Sequence, residues 1–173
     1  SARLSESLYD EILGNSRGFA CFHTPDGEPY VRVPVDEHFE VWKVRSRAFR
    51  DWVSFRFFKT VGEPIKAAEL ADLLGAIAGR AKFDAPEHEV HLRLAQHGDS
   101  IWLDLCDREW RAVHIDARGW RVVESRDVPV RFTRRSGMEP LPVPVPGGSV
   151  EELRPLVNLD DEQFILAIGW VVG

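Results

Sequence analysis

Cysteine is scarce: Cys21 and Cys106 are the only two in 173 residues. Far apart in sequence and each in a strand-like context, they read as reduced, buried thiols, which fits a cytoplasmic chain. Long apolar runs are also missing. Nothing approaches the roughly 18 consecutive apolar residues of a membrane span, and no signal peptide precedes the chain, so no membrane partner is expected. Positive charge is not in excess. The 22 Lys and Arg against 28 Asp and Glu leave a net charge of -6, which argues against a uniformly basic nucleic-acid binder but permits a local patch. Several chemistries lack their signatures. There is no GxxxxGK[ST] phosphate loop, no CxxC, no HExxH and no calcium loop. The glycine pair Gly147-Gly148 follows prolines and reads as linker. His88 and His91, three apart in a strand, would point to opposite faces and read as surface or capping residues. Asp104 and Asp107 invite comparison with metal-holding carboxylate pairs. Asp104 is nevertheless expected to alternate outward between Leu103 and Leu105, on a solvated strand face, with Asp107 in the following turn. No nucleophile sits on a recognisable strained turn. Neither catalysis nor a cofactor is expected within this chain. A cryptic metal-dependent primase or nuclease at Asp104 and Asp107 is the minor alternative.

What is present suits a globular protein of one domain or slightly more: 44% hydrophobic residues, 29% charged and six Trp. The organising stretch runs from His88 to Val123. Val90, Leu92 and Leu94 alternate with His91 and Arg93; Ile101, Leu103 and Leu105 alternate with Trp102, Asp104 and Cys106. Val113 and Ile115 flank His114, and Trp120 and Val122 flank Arg121. This period of two, broken by short polar turns, predicts four antiparallel strands in a meander. A fifth strand is expected over Val128 to Thr133, with Pro129 making its start irregular.

Upstream, Leu4, Leu8 and Ile12 suggest a short helix over residues 1–13. Phe19 to His23 and Tyr30 to Val35 read as a hairpin about Thr24-Pro25-Asp26-Gly27, with His38 to Val44 as a third strand. Ser46 is a plausible N-cap for a helix from Arg47 to Thr60, with Phe49, Val53, Arg56 and Phe57 on one face. A second helix spans about Ala67 to Lys82. The expected class is therefore α+β: a meander of four or five strands, a helical pair on one of its faces, and a small N-terminal β-hairpin unit. From Gly137 the run MEPLPVPVPGGS favours extended polyproline geometry. Residues 1–136 are read as the domain, 137–149 as a proline-rich connector and 150–173 as the start of a following module. Ser149 and Asp160 would cap two short helices there. Both chain ends look cut from something longer.

Charge is clustered. Lys43, Arg45, Arg47, Arg50, Arg56 and Lys59 face only Asp51, and Arg126, Arg131, Arg134 and Arg135 face only Asp127. Brought together, Lys43, Arg45, Arg47, Arg50, Arg131, Arg134 and Arg135 would form one phosphate-tracking face. Trp42, Trp52, Phe55 and Phe58 would offer stacking surfaces for unpaired bases. Arg56, within the apolar helix face, reads as a structural partner. Reversing Arg47, Arg50, Arg134 and Arg135 should then remove binding and leave the melting temperature nearly unchanged. The competing reading is a protein–protein interaction domain whose arginines meet acidic neighbours, including the segment 147–165.

Several stretches together, HTPDGEPYVRVPV, VRSRAFRDWV, IWLDLCDREWRAVHIDARGWRVV and PVRFTRRSGMEPLPVPVPGG followed by ELRPLVNL, resemble one protein group over residues 20–165. It is the region preceding the ATPase core of bacterial and phage primase–helicase-like proteins, P-loop ATPases of the kind encoded by mobile elements. The resemblance implies that DDEQFILAIGWVVG is the helix leading toward the phosphate loop. It also implies that ATP and Mg belong only to the missing C-terminal part, and no catalytic residue carries over. Its expected partners are single-stranded or duplex DNA, its own ATPase module and further copies in a homo-oligomer.

Overall fold

The computed structural model describes Leu13 and residues 17–172; the helix expected over 1–13 lies outside the described residues but for Leu13. The chain is α+β and divides into two compact units, Ser1–Pro142 and Val143–Gly173.

The first unit begins with β1 (Ala20–His23), β2 (Pro29–Val35) and β3 (His38–Lys43), an antiparallel sheet in sequence order. The first turn closes where the Gly27 amide donates to the Thr24 carbonyl at 2.7 Å, with Gly27 at a φ of 79° that glycine adopts without strain. Cross-strand pairing puts Cys21, Val31, Val33 and Trp42 on one face and Ala20, Phe22, Tyr30, Arg32, Phe39 and Val41 on the other.

Helix α1 (Arg47–Val61) starts where Ser46 Oγ accepts the Phe49 amide at 3.2 Å, and stops at left-handed Gly62. Helix α2 (Ala67–Phe83) follows. The helices cover the first face of the sheet, α2 over β1 and β2 and α1 against β3. Val31, Val33, Val44, Phe49, Val53, Leu73 and Ile77 form the main core there. Phe49 is fully buried whereas Phe55 is 58% exposed. Phe49→Ala should therefore cost about 3–5 kcal/mol by urea unfolding, while Phe55→Ala should stay within about 0.5 kcal/mol.

The meander is β4 (Leu94–His97), β5 (Ser100–Asp104), β6 (Ala112–Asp116) and β7 (Gly119–Val123), antiparallel in that order. Three expectations are corrected. The helical pair packs on the N-terminal sheet, not on the meander, because Val31, Val33 and Val44 give that sheet the larger apolar face. The first meander strand begins at Leu94; residues 90–92 run outside the ladder, with His91 bridged to Phe132. No fifth strand forms over Val128–Thr133. After a 3₁₀ turn (Ser125–Asp127) the chain crosses the second face of the N-terminal sheet as an irregular segment. Ser125 Oγ accepts the Phe39 amide at 3.0 Å, and Thr133 Oγ1 donates to the Val41 carbonyl at 3.2 Å. The other side of this segment meets the meander: Phe132, Val128 and Val130 pack with Ala95, Trp102 and Ala112.

The first residues of the proline-rich run belong to this unit, since the Leu141 amide donates to the Leu105 carbonyl at 2.8 Å. The second unit holds a 3₁₀ helix (Val150–Leu156) and α3 (Asp161–Val172). A capping box between Ser149 and Glu152 opens the first, and Pro155, which has no N–H, is inside it. Asp160 Oδ1 accepts the Gln163 amide at 2.9 Å to open the second.

Candidate nucleic-acid interface

The seven basic residues singled out in the sequence do not form one face; the structure sorts them into four settings. Arg45, Arg47 and Arg50 are exposed around the first turn of α1. With Ser46, Asp51, Ala71, Leu74 and Gly75 they line an open cleft of about 620 Å³. Among the described residues the only carboxylate there is Asp51, 3.5 Å from Arg47, and that pair is solvent-exposed on both sides. Such a contact is worth about 0–1 kcal/mol and leaves the arginines available. No acidic residue lies in the first turn of α1 to offset them.

Lys43 and Arg135 come together in a second cleft of about 420 Å³. Asp26, Glu28 and Glu89 line the same cleft, and Lys43 Nζ lies 3.5 Å from Glu28. Its field is mixed in sign, which makes it a poor phosphate track.

Arg134 sits in a third setting, and it overturns the outward placement of Asp104. Asp104 is only 1% exposed. Its Oδ1 and Oδ2 accept from Arg134 Nη2 at 2.7 Å and Nε at 3.0 Å, a bidentate pair. Arg134 Nη1 also donates to the Asp107 carbonyl, and the guanidinium lies 3.9 Å above the Trp110 ring. Around this pair the loop is tied. The Cys106 amide donates to Asp104 Oδ1 at 3.1 Å, and Arg111 Nε to Asp107 Oδ2 at 2.7 Å. Cys106 and Trp110 both take a φ of 57°, uncommon for residues with a side chain. The meander is thus inverted relative to expectation: Trp102, Asp104 and His114 face inward, while Ile101 is 49% and Leu94 60% exposed. The inward carboxylate follows from a partner thirty residues away that neutralises it. Both Asp104 oxygens accept from Arg134, which neutralises the carboxylate. Among the described residues no group of three or more His, Cys, Asp or Glu could hold a metal ion.

Arg131 is the fourth case. Half-buried in the crossing segment, its guanidinium lies 5.0 Å from the Phe22 ring and its Nε has no hydrogen-bond partner. His88 packs edge-on to that ring at 5.7 Å. Burial, then the charges of Arg131 and His23, hold the His88 imidazole below the ordinary histidine pKa. A depressed folded-state pKa means that the unfolded chain takes the proton first. His88 therefore favours folding above pH about 6.5 and loses that contribution as pH falls through its folded-state value. His88→Gln should flatten that part of a stability–pH profile between neutral and mildly acidic buffer.

Of the four aromatic residues proposed to stack on bases, Trp42 and Trp52 pack against the core. Phe55 and Phe58 are open, 58% and 51% exposed. Cys21 and Cys106 are both half-buried. Among the described residues, no helix is long and apolar enough to cross a membrane.

Comparison with models of protein families, with curated proteins and with solved structures finds no match to this chain.

Proposed function

We propose that this chain is a noncatalytic nucleic-acid-binding accessory domain of a primase–helicase-like P-loop ATPase, with Arg45, Arg47 and Arg50 as its phosphate contacts. The observation that carries the reading is the exposure of those three guanidinium groups around one helix end with, among the described residues, a single, weakly paired carboxylate beside them. Phe58 lies eleven residues from Arg47, close to three turns, so both fall on one exposed side of α1 about 16 Å apart. Phosphates at one end and stacked bases at the other suit a single strand better than a duplex, whose bases are already stacked. The chain holds no phosphate loop, so ATP and Mg would act through residues it does not contain. Fluorescence anisotropy against labelled single-stranded and duplex DNA at two salt concentrations tests the reading. Salt-dependent binding with a preference for the single strand is expected, and no binding at low salt would overturn it.

A second reading, an interaction domain that docks on its own ATPase module or on another copy, draws on the outer face of the meander. The row Leu94, Leu103, Val113 and Val122 crosses all four strands beside Ile101, Ile115 and Trp120, with Val113 itself buried at its centre. Leu94, Ile101 and Trp120 are 60%, 49% and 43% exposed. On this reading, Ile101→Lys with Trp120→Lys should lower the mass measured by light scattering. An unchanged mass would count against it.

A further inference from the structure

Between the second face of the N-terminal sheet and the crossing segment lies a cavity of about 170 Å³. Arg32 of β2 and Arg131 of the crossing segment both line it, together with Phe39, Ser125 and Val130. Arg32 stacks on the Phe39 ring at 3.4 Å and makes one long hydrogen bond, 3.4 Å to the Gly18 carbonyl. Arg131 makes no side-chain hydrogen bond through its buried Nε. Asp104 also lines the cavity, but its charge is spent on Arg134. Neither Arg32 nor Arg131 is paired with a carboxylate among the described residues. Burial lowers the basicity of both, and at Arg32 the charge of Arg131 lowers it further. Two partly desolvated cations that repel each other and line one cavity are costly unless an anion neutralises them.

We infer that this cavity is a binding site for a phosphate dianion, held between the Arg32 and Arg131 guanidinium groups. The planar fork of each guanidinium matches two phosphate oxygens, and a cavity of this volume has room for a tetrahedral anion. The dianion can be free phosphate or the terminal phosphate of an oligonucleotide entering from solvent. This site is separate from the arginines at the start of α1.

The test is a thermal melt of the 173-residue chain in inorganic phosphate against chloride of equal ionic strength, repeated with Arg32→Met and Arg131→Met. Phosphate should raise the melting temperature saturably, and each variant should bind it at least about tenfold more weakly. The triple variant Arg45→Glu, Arg47→Glu, Arg50→Glu should keep the phosphate effect, which separates this site from the proposed DNA contact. Backbone amide shifts of the wild-type chain on adding phosphate give a readout that needs no variant, and they should centre on Arg32, Ser125 and Val130 to Phe132. A 5′-phosphorylated oligonucleotide producing the same shifts, where its 5′-hydroxyl counterpart does not, assigns the terminal phosphate as source. Shifts from inorganic phosphate alone assign the free ion. No phosphate-specific stabilisation, or an equal effect in both Met variants, would overturn the inference, as would shifts confined to the start of α1.

Discussion

Asp104→Ala is expected to destabilise the first unit by about 3–5 kcal/mol, the usual cost of leaving one member of a buried ion pair without its partner. For a chain of this size that corresponds to a fall in melting temperature on the order of 10 °C. The geometry explains the size. Asp104 and Arg134 side chains are 2% and 14% exposed, so water cannot replace the lost carboxylate. The stranded guanidinium also takes with it the closure of the loop through the Asp107 carbonyl and the stack on Trp110. Arg134→Ala should cost a similar amount. The double replacement Asp104→Leu, Arg134→Met should recover much of the loss, because two apolar groups leave no buried charge behind. Equilibrium urea unfolding of these proteins reads the losses, and the double variant Asp104→Ala, Arg134→Ala closes a double-mutant cycle with the two single replacements. A loss below about 1 kcal/mol for Asp104→Ala would mean that the pair is solvated and that the meander is not closed through it. A consequence follows for any binding assay: reversing Arg134 confuses unfolding with lost affinity, so the fourfold arginine variant suggested by charge alone is the wrong experiment.

The elements that sequence makes legible are those fixed by local rules. Ser46 before an apolar periodic run, Gly62 after it and Asp26-Gly27 between alternating segments act within a few residues, and the structure has them where the pattern places them. The faces of the meander are not fixed locally. Leu94, Leu103, Val113 and Val122 form one side, and Ala95, Trp102, Asp104 and His114 belong to the other. Hydrophobicity favours the first as the interior, yet apart from Val113 the buried side is the second, because Arg134 neutralises Asp104 and the crossing segment supplies Phe132. Neither contact can be inferred from a window of ten residues. The same blindness affects the charge clusters. Counting Arg131, Arg134 and Arg135 as one basic run ignores that their side chains go respectively to a cavity, a buried carboxylate and a mixed cleft. Charge runs on α1 survive because a helix end at the surface keeps neighbouring arginines in one place.

Reversing Arg45, Arg47 and Arg50 to Glu should weaken single-stranded DNA binding by at least about 100-fold near 50 mM salt. If the three neutralise one phosphate each, the wild-type slope of log affinity against log salt is about −2 on a single strand. Raising salt from about 50 to 200 mM then costs roughly twentyfold in affinity. In the variant that slope should collapse toward zero. Folding should not suffer, because all three side chains are exposed and, among the described residues, only Arg47 has an ion pair, itself open to solvent. Phe58→Ala supplies the independent half of the argument. A stacked base is worth about 1–3 kcal/mol, so its loss should weaken binding without altering the salt slope, since no phosphate contact is removed. A variant in which slope and affinity fall together marks a phosphate contact, and one in which affinity alone falls marks a stacking contact. If neither substitution changes anything while the wild-type chain still binds, the contact lies elsewhere, and Lys43 with Arg135 is the exposed pair left among the seven candidates. If the wild-type chain does not bind at low salt, the arginines at the start of α1 have no nucleic-acid role, and the apolar outer face of the meander becomes the surface to mutate.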